Sequence, residues 1–383
     1  MGLINKLLKG GKVVAGDLER LVQREIHFYS SKPSAAILFL TYRCNSSCKT
    51  CTAWRRNQAE EKKKELDLEA WKSIADKLSE AGVRNVEIFG GNVLLRKDLL
   101  LHILEYLKWK NFTIHIPTNQ IGMDDEVAEA LVRYADYIYV STDGVGDLQN
   151  NIRGQRGAAD RVQNTIATLS RLRGDQETPR LICNTTVSKF NVMMLDQLAD
   201  YAQSTKFDEI HYEYAGEFTR ELVDRSCING LKPTPYFLRQ DESILVSPAE
   251  ARMLKNSLLR IKKRLKGSRF TAVTVNIDTL SEHDLTAGTI PYKKCYMERI
   301  EATVDPSGNL VACPFFNNYA IGSLLDHSLS ELWNNKQHRL FRQHQNAGVL
   351  ELCKHCILGV QRNPGMIGSL KRIYHTRIRE AFL

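Results

Sequence analysis

The sequence predicts an α/β fold built on a parallel sheet, open or partly closed into a barrel, and three observations predict it. Short β-rich runs alternate with longer helical patterns six times in succession after residue 34, the pattern of parallel strands joined by helical crossovers. At 383 residues, with 43% hydrophobic and 25% charged side chains, the chain has a globular composition and the length for two domains. Three cysteines, Cys44, Cys48 and Cys51, directly follow the first β-rich run, Ala35 to Leu40. Loops leaving the C-terminal ends of parallel strands are where such folds carry their chemistry.

In chain order, residues 1–33 read as an amphipathic extension of one or two helices, broken at Gly10–Gly11 and closing before Ser30 to Pro33. Strands are expected at 35–40, 84–89, 112–117, 136–141, 180–187 and 208–214, with helices between them at 68–81, 97–109, 124–134, 158–173 and 192–204. Residues 215–246 lack periodicity and read as a linker or lid. Ser247, Pro248 and Glu250 form a capping-box pattern that opens a helix running to about residue 266. A second strand-and-turn region covers roughly 270–320. The division expected is an extension (1–33), a core (34–240), a C-terminal domain (241–360) and a basic helix (361–383).

No apolar stretch approaches the ~20 residues that span a bilayer. No signal-peptide core opens the chain, so a cytoplasmic location is expected. In that reducing compartment nine cysteines point to metal or catalytic use rather than disulfides. The net charge of +9 gathers in residues 1–24, 260–266 and 371–379. At both termini the basic residues alternate with apolar ones at helical spacing, the pattern of a helix that docks on its own domain or lies on an anionic membrane surface. Few aromatics interleave with the basic runs, which argues against a nucleic-acid partner.

The CxxxCxxC spacing of Cys44, Cys48 and Cys51 sets three soft thiolates on one loop, a donor set suited to iron–sulfur or zinc. No further cysteine or histidine follows before His102, so a [4Fe–4S] cluster held here would keep one iron open to a small chelating molecule. In this the chain resembles the radical S-adenosylmethionine (SAM) enzymes, although Thr50 stands where an aromatic residue usually precedes the third cysteine. Further segments follow in that family's order. Gly90-Gly91-Asn92 resembles the GGE segment beside the SAM ammonium, the glycines letting backbone approach the ligand and Asn92 offering an amide oxygen in place of the acid. Thr118-Asn119-Gln120 stands where TNG is common, Ser141-Thr142-Asp143-Gly144 resembles SxDG, Arg153-Gly154 matches the downstream RG, and Asn184 opens a TV…N-like stretch. The resemblance implies a partial (β/α)6 TIM-type barrel. It also implies that Cys44, Cys48 and Cys51 hold a [4Fe–4S] cluster, and that Gly90, Gly91, Asn92, Asn119, Ser141, Asp143, Arg153 and Asn184 bind SAM.

Cys295, Cys313, Cys353 and Cys356 form a second group, able to complete a [4Fe–4S] cluster or a zinc tetrahedron. The text around them, Asp305 to Leu310, Ile321 to Leu324 and Ser328 to Trp333, is similar to the SPASM and twitch domains appended to many radical SAM enzymes. Four cysteines match the shorter twitch form with one auxiliary cluster. Cys183 reads as a buried thiol, and Cys227, on the presumed lid, as a candidate hydrogen-atom donor. Glu213 and Tyr214, at the end of the sixth strand, are candidates for proton transfer.

By this resemblance the chain is expected to be a radical SAM oxidoreductase. It would cleave SAM reductively to a 5′-deoxyadenosyl radical and oxidise a sugar, cyclitol or similar metabolite, passing an electron to the auxiliary cluster. The cluster layout is similar to that of amino-cyclitol dehydrogenases and anaerobic sulfatase-maturating enzymes. Two alternatives stand beside it: modification of a peptide or lipid-linked substrate at a membrane surface, and a non-catalytic iron–sulfur electron carrier. The enzymatic readings imply a reducing partner such as flavodoxin or ferredoxin.

Overall fold

The computed structural model describes residues 30, 32–274, 277–290, 295 and 297–358. Most of the extension expected at 1–33, and all of the basic helix at 361–383, lie outside the described residues. Among the described residues ten strands form: β1 (Ala35–Thr41), β2 (Asn85–Gly90), β3 (Thr113–Thr118), β4 (Tyr137–Ser141), β5 (Arg180–Val187), β6 (Glu209–Tyr214), β7 (Thr271–Thr274), β8 (Glu301–Val304), β9 (Asn309–Val311) and β10 (Ala320–Ser323). They make one sheet in the order β10-β9-β8-β1-β2-β3-β4-β5-β6-β7. Neighbours from β8 through β7 run parallel, and β9 and β10 are added antiparallel.

The helices of the repeating units are α1 (Leu68–Glu80), α2 (Lys97–Trp109), α3 (Asp125–Tyr134), α4 (Ala158–Arg173) and α5 (Leu195–Ser204). The local sequence explains their limits. Asp67 caps α1 by accepting from Ala70 N, a bond worth about 1 kcal/mol. Trp71, Ile74, Ala75 and Leu78 then give that helix one apolar face at helical spacing, and all four are buried. β1 is buried along almost its whole length, as a strand flanked on both sides in a parallel sheet must be. β6 alternates instead: Ile210, Tyr212 and Tyr214 are buried, and Glu209, His211 and Glu213 take the other face. Tyr212 donates its hydroxyl proton to Leu195 O at the start of α5, so the buried face is the one toward the helices. The alternate face, with Glu213, is the barrel lumen.

The capping box at Ser247 and Glu250 forms, and α6 (Pro248–Arg264) follows it. The stretch before it is a strap rather than free linker: it holds a short helix, Arg220–Asp224, and Phe218 N donates to Phe237 O at 2.8 Å while Ile244 N donates to the buried Glu217 carboxylate at 2.7 Å. Beyond α6 the chain returns to both margins of the barrel sheet, β7 adding to β6 and β8 to β1. α7 (Lys336–Asn346) then packs behind the last cysteines. Among the described residues no helix is long and apolar enough to cross a membrane.

Candidate active site

β1 ends at Thr41, and the cysteine loop leaves its C-terminal end with its backbone tied down. Cys44 N donates to Gln58 Oε1 (2.9 Å), Lys49 N to Ile152 O (2.9 Å), Thr52 N to Tyr236 O (2.7 Å), and the Trp54 indole to Cys51 O (2.8 Å). Arg43 forks onto the Glu65 carboxylate at 2.6 and 2.9 Å. The Cys44, Cys48 and Cys51 thiols line one cavity of about 220 Å³. Burial pushes the Cys51 thiol up to about 12, with the adjoining thiols adding to it, and raises Cys44 in the same way. A cation bound there would take the place of those protons.

The glycine pair serves this loop. A Cβ on Gly90 would sit 2.5 Å from the Thr41 carbonyl oxygen, and one on Gly91 would sit 2.6 Å from the Arg43 carbonyl carbon and 2.8 Å from Cys44 Cβ. At both glycines it is the backbone of the cysteine loop that comes this close, and both also line the cavity. Gly91→Ala is therefore expected to cost about 1–3 kcal/mol by overpacking and to loosen the triad. A lowered melting temperature together with reduced iron uptake on reconstitution would check it.

Asn92 is held in place by its own hydrogen bonds. Its Oδ1 accepts from Leu94 N (3.1 Å) and its Nδ2 donates to Asn45 Oδ1 (2.8 Å) and Ile121 O (2.9 Å). Asn92 thus lines the cavity while its side chain caps a turn and braces the cysteine loop. Gly90, Gly91, Asn119, Ser141, Arg153 and Asn184 line the same cavity. Asp143 does not; it is fully buried, accepts from Thr186 N (2.8 Å) and lies 2.9 Å from Arg153 Nε, so it aims that guanidinium. Burial raises the Asp143 carboxyl, and Arg153 opposes the shift. Asn184 Oδ1 is buried with no hydrogen-bond partner among the described residues, an acceptor awaiting a donor.

A second cavity of about 480 Å³ fills the lumen and shares Phe89, Asn184, Glu213, Tyr236 and Phe237 with the first. Glu213 therefore stands where the two spaces meet. Tyr214 does not, and the expectation for it is corrected: the two-residue period of β6 turns it to the helix side, where its hydroxyl donates to Leu285 O (2.6 Å) and accepts from Val246 N (3.0 Å). Cys227 is corrected too, since it lies in the strap and lines neither cavity. The lumen adds residues the sequence reading passed over: His115, Tyr139, His211 and Glu87. His115 Nδ1 is 3.1 Å from Tyr139 Oη, and His211 Nε2 is 2.8 Å from Glu209 Oε2. Burial lowers the pKa of both histidines, with acidic neighbours opposing. Their period-two placement opposite the buried residues was the available signal; Tyr236, on the aperiodic strap, gave none.

The second cysteine group comes from three separate segments. Burial raises Cys313 to about 11 and drives Cys353 and Cys356 well above the usual range, and for the last two the other thiols of the group add to the push. Among the described residues no three His, Cys, Asp or Glu side chains converge closely enough for one shared ion. A four-iron cube, each iron taking its own thiolate, asks instead that sulfurs surround a common space. The N-terminal triad on its cavity wall, with the unused Asn184 acceptor beside it, fits such a group.

Residues 38–199 match the family described as the Radical SAM superfamily, and residues 295–357 match SPASM, an iron–sulfur cluster-binding domain. The chain belongs to the radical SAM superfamily. Its radical SAM core carries a SPASM/twitch-like C-terminal domain, and its cofactors are SAM, a SAM-binding [4Fe–4S] cluster and an auxiliary [4Fe–4S] cluster. Relatives include Fe-coproporphyrin III synthase of Methanosarcina barkeri (24% identical, covering 83% of this chain and 78% of the relative). Mycofactocin maturase MftC of Mycolicibacterium smegmatis is 24% identical over 82% of this chain and 74% of its own. The PqqA peptide cyclase of Gluconobacter oxydans is 24% identical over 79% and 77%. Among solved radical SAM structures, Streptococcus suis SuiB bound to precursor peptide SuiA superposes with a TM-score of 0.61 at 15% identity, over 88% of this chain and 74% of that one. anSMEcpe with bound AdoMet and a Cp18Cys peptide gives 0.61 at 15%, over 91% and 98%.

Proposed function

We propose that this radical SAM enzyme modifies a peptide. The observation that carries the reading is the match along most of its length to a peptide cyclase, and two solved structures of the same fold hold peptides. These relatives favour the peptide alternative over oxidation of a sugar or cyclitol. When bound, the SAM cluster supplies hydrogen-atom abstraction. This chain's residues then have three tasks. Arg153, aimed by Asp143, and the Asn184 acceptor orient SAM against the triad. The aromatic wall of Phe89, Tyr236 and Phe237 keeps water from the junction of the two cavities. Glu213, at that junction, accepts a hydrogen bond or a proton from the reacting residue of the peptide. The lumen's Glu87, Glu213, His115 and His211 offer acceptors suited to amide N–H groups.

Net oxidation through the auxiliary cluster, a flavodoxin- or ferredoxin-type reductant and membrane contact through the basic termini belong to the same proposal. The test is anaerobic incubation of the reconstituted, reduced protein with SAM and the short peptides encoded beside its gene, read by mass spectrometry. A mass change in one peptide, lost in Glu213→Gln while 5′-deoxyadenosine still forms, is the expected result. Steady SAM cleavage with every peptide unaltered, and a cyclitol or sugar oxidised in its place, would overturn it.

A further inference from the structure

The auxiliary cysteine group is backed by a fully buried ion network. A short helix, Met297–Ile300, begins two residues after Cys295, and its Glu298 side chain has no exposed surface. Arg342 Nε lies 2.7 Å and Arg299 Nε 2.9 Å from the Glu298 carboxylate, with His338 Nε2 at 3.5 Å. Arg342 also donates to Asn334 Oδ1, and Arg299 donates to Asn346 Oδ1 at 3.2 Å. His338, Arg342 and Gln345 share one face of α7, so that helix supplies the partners of the short helix's carboxylate.

Gln345 is the link. Turned one way, its amide nitrogen lies 3.9 Å from Cys353 Sγ; turned the other, it donates to Cys295 O at 3.0 Å and to Glu298 Oε1 at 3.2 Å. The carboxylate is accordingly one side chain removed from the Cys353 thiol and from the backbone of Cys295.

Burying three ionised groups is costly, and apolar side chains of similar volume would fill the same space at no such cost. What they could not supply is a fixed charge. Reducing a cluster held by four thiolates adds an electron to an already anionic group, and a buried negative charge beside it opposes that addition. We propose that Glu298, paired with Arg342 and Arg299, sets the reduction potential of the cluster held by Cys295, Cys313, Cys353 and Cys356, holding it below what a neutral side chain would give. This goes beyond the peptide proposal and does not depend on it.

The experiment is an anaerobic redox titration followed by electron paramagnetic resonance. The full chain carries Cys44→Ala, Cys48→Ala and Cys51→Ala, so that the auxiliary cluster alone is titrated. Adding Glu298→Gln is expected to raise the reduced-to-oxidised ratio at fixed potential at least tenfold, which is 59 mV for a one-electron couple. Adding Glu298→Asp, which keeps the charge, should leave the ratio within about twofold, since the field scales with charge more than with side-chain length. Arg342→Met, which leaves the carboxylate less compensated, should lower the ratio, and it carries the test should Glu298→Gln fail to take up iron. An unmoved potential in Glu298→Gln and Arg342→Met overturns the proposal, as does a shift of the same sign in both. A Glu298→Asp shift equal to that of Glu298→Gln also overturns it, because the network would then act by shape alone.

Discussion

Cys48→Ala is expected to reduce 5′-deoxyadenosine formation to background and to remove the N-terminal cluster, while the auxiliary cluster persists. Three thiols on one loop can hold three corners of a cube; with two, neither the cube nor its open iron is held. Cys48 is the buried member of the triad, with Ser46 Oγ at 3.1 Å and an Arg153 nitrogen at 4.0 Å from its sulfur. Its loss thus also uncouples the loop from the residue proposed to orient SAM. Iron and sulfide counts on the anaerobically reconstituted variant, beside SAM cleavage, check the result. Cys183→Ala is the control. That thiol is equally buried, but it lies within β5 on the helix side and lines neither cavity, so the variant should keep both its iron and its activity.

Removing Glu298 is expected to be the most destabilising single change in the C-terminal domain. Glu298→Ala leaves Arg299 and Arg342 buried without their carboxylate, a loss of about 3–5 kcal/mol for a broken buried pair. The same residue gives the domain an acid limit. Burial works against its charge, but Arg342, then His338 and Arg299, outweigh it and hold the carboxyl at about 2 against an ordinary 4.5. A depressed folded pKa means that the stabilisation is complete above about pH 4.5 and is lost as pH falls toward 2, on the order of 3 kcal/mol over that window. Urea melts of the iron-free protein with reduced cysteines, between pH 6 and 2.5, should show this slope. Glu298→Gln should flatten it, and parallel slopes in the two proteins would refute the assignment.

Much of this fold is legible in the residues because its units are local. Each strand from 35 to 214 is bounded by turn chemistry, and each helix, α1 with its Asp67 cap among them, carries its own start signal or apolar stripe. β7 and β8 fall within the strand-and-turn region expected at 270–320, but their limits and pairing do not show there. Four residues such as Thr271–Thr274 or Glu301–Val304 are too short for a period to show, and their partners, β6 and β1, are distant in sequence. The site divides along the same line. Residue types at fixed spacing located the cysteines and the SAM-facing segments. What those residues touch is tertiary information: that Gly91 meets the Arg43 carbonyl, that Asn92 spends its oxygen on Leu94, or that Tyr236 of the strap reaches both cavities.

The placement of β7 and β8 at opposite margins of the barrel has a consequence for anyone dissecting the molecule. The C-terminal third is not a bead on a string but two closing staves. A fragment ending near residue 240 would leave the amide and carbonyl rows of β1 and β6 bare, an invitation to pair with a neighbouring copy. Conversely, grafting this C-terminal module onto another barrel would require matching the recipient's first strand residue for residue from Ala35 to Leu38, the rungs on which β8 hangs.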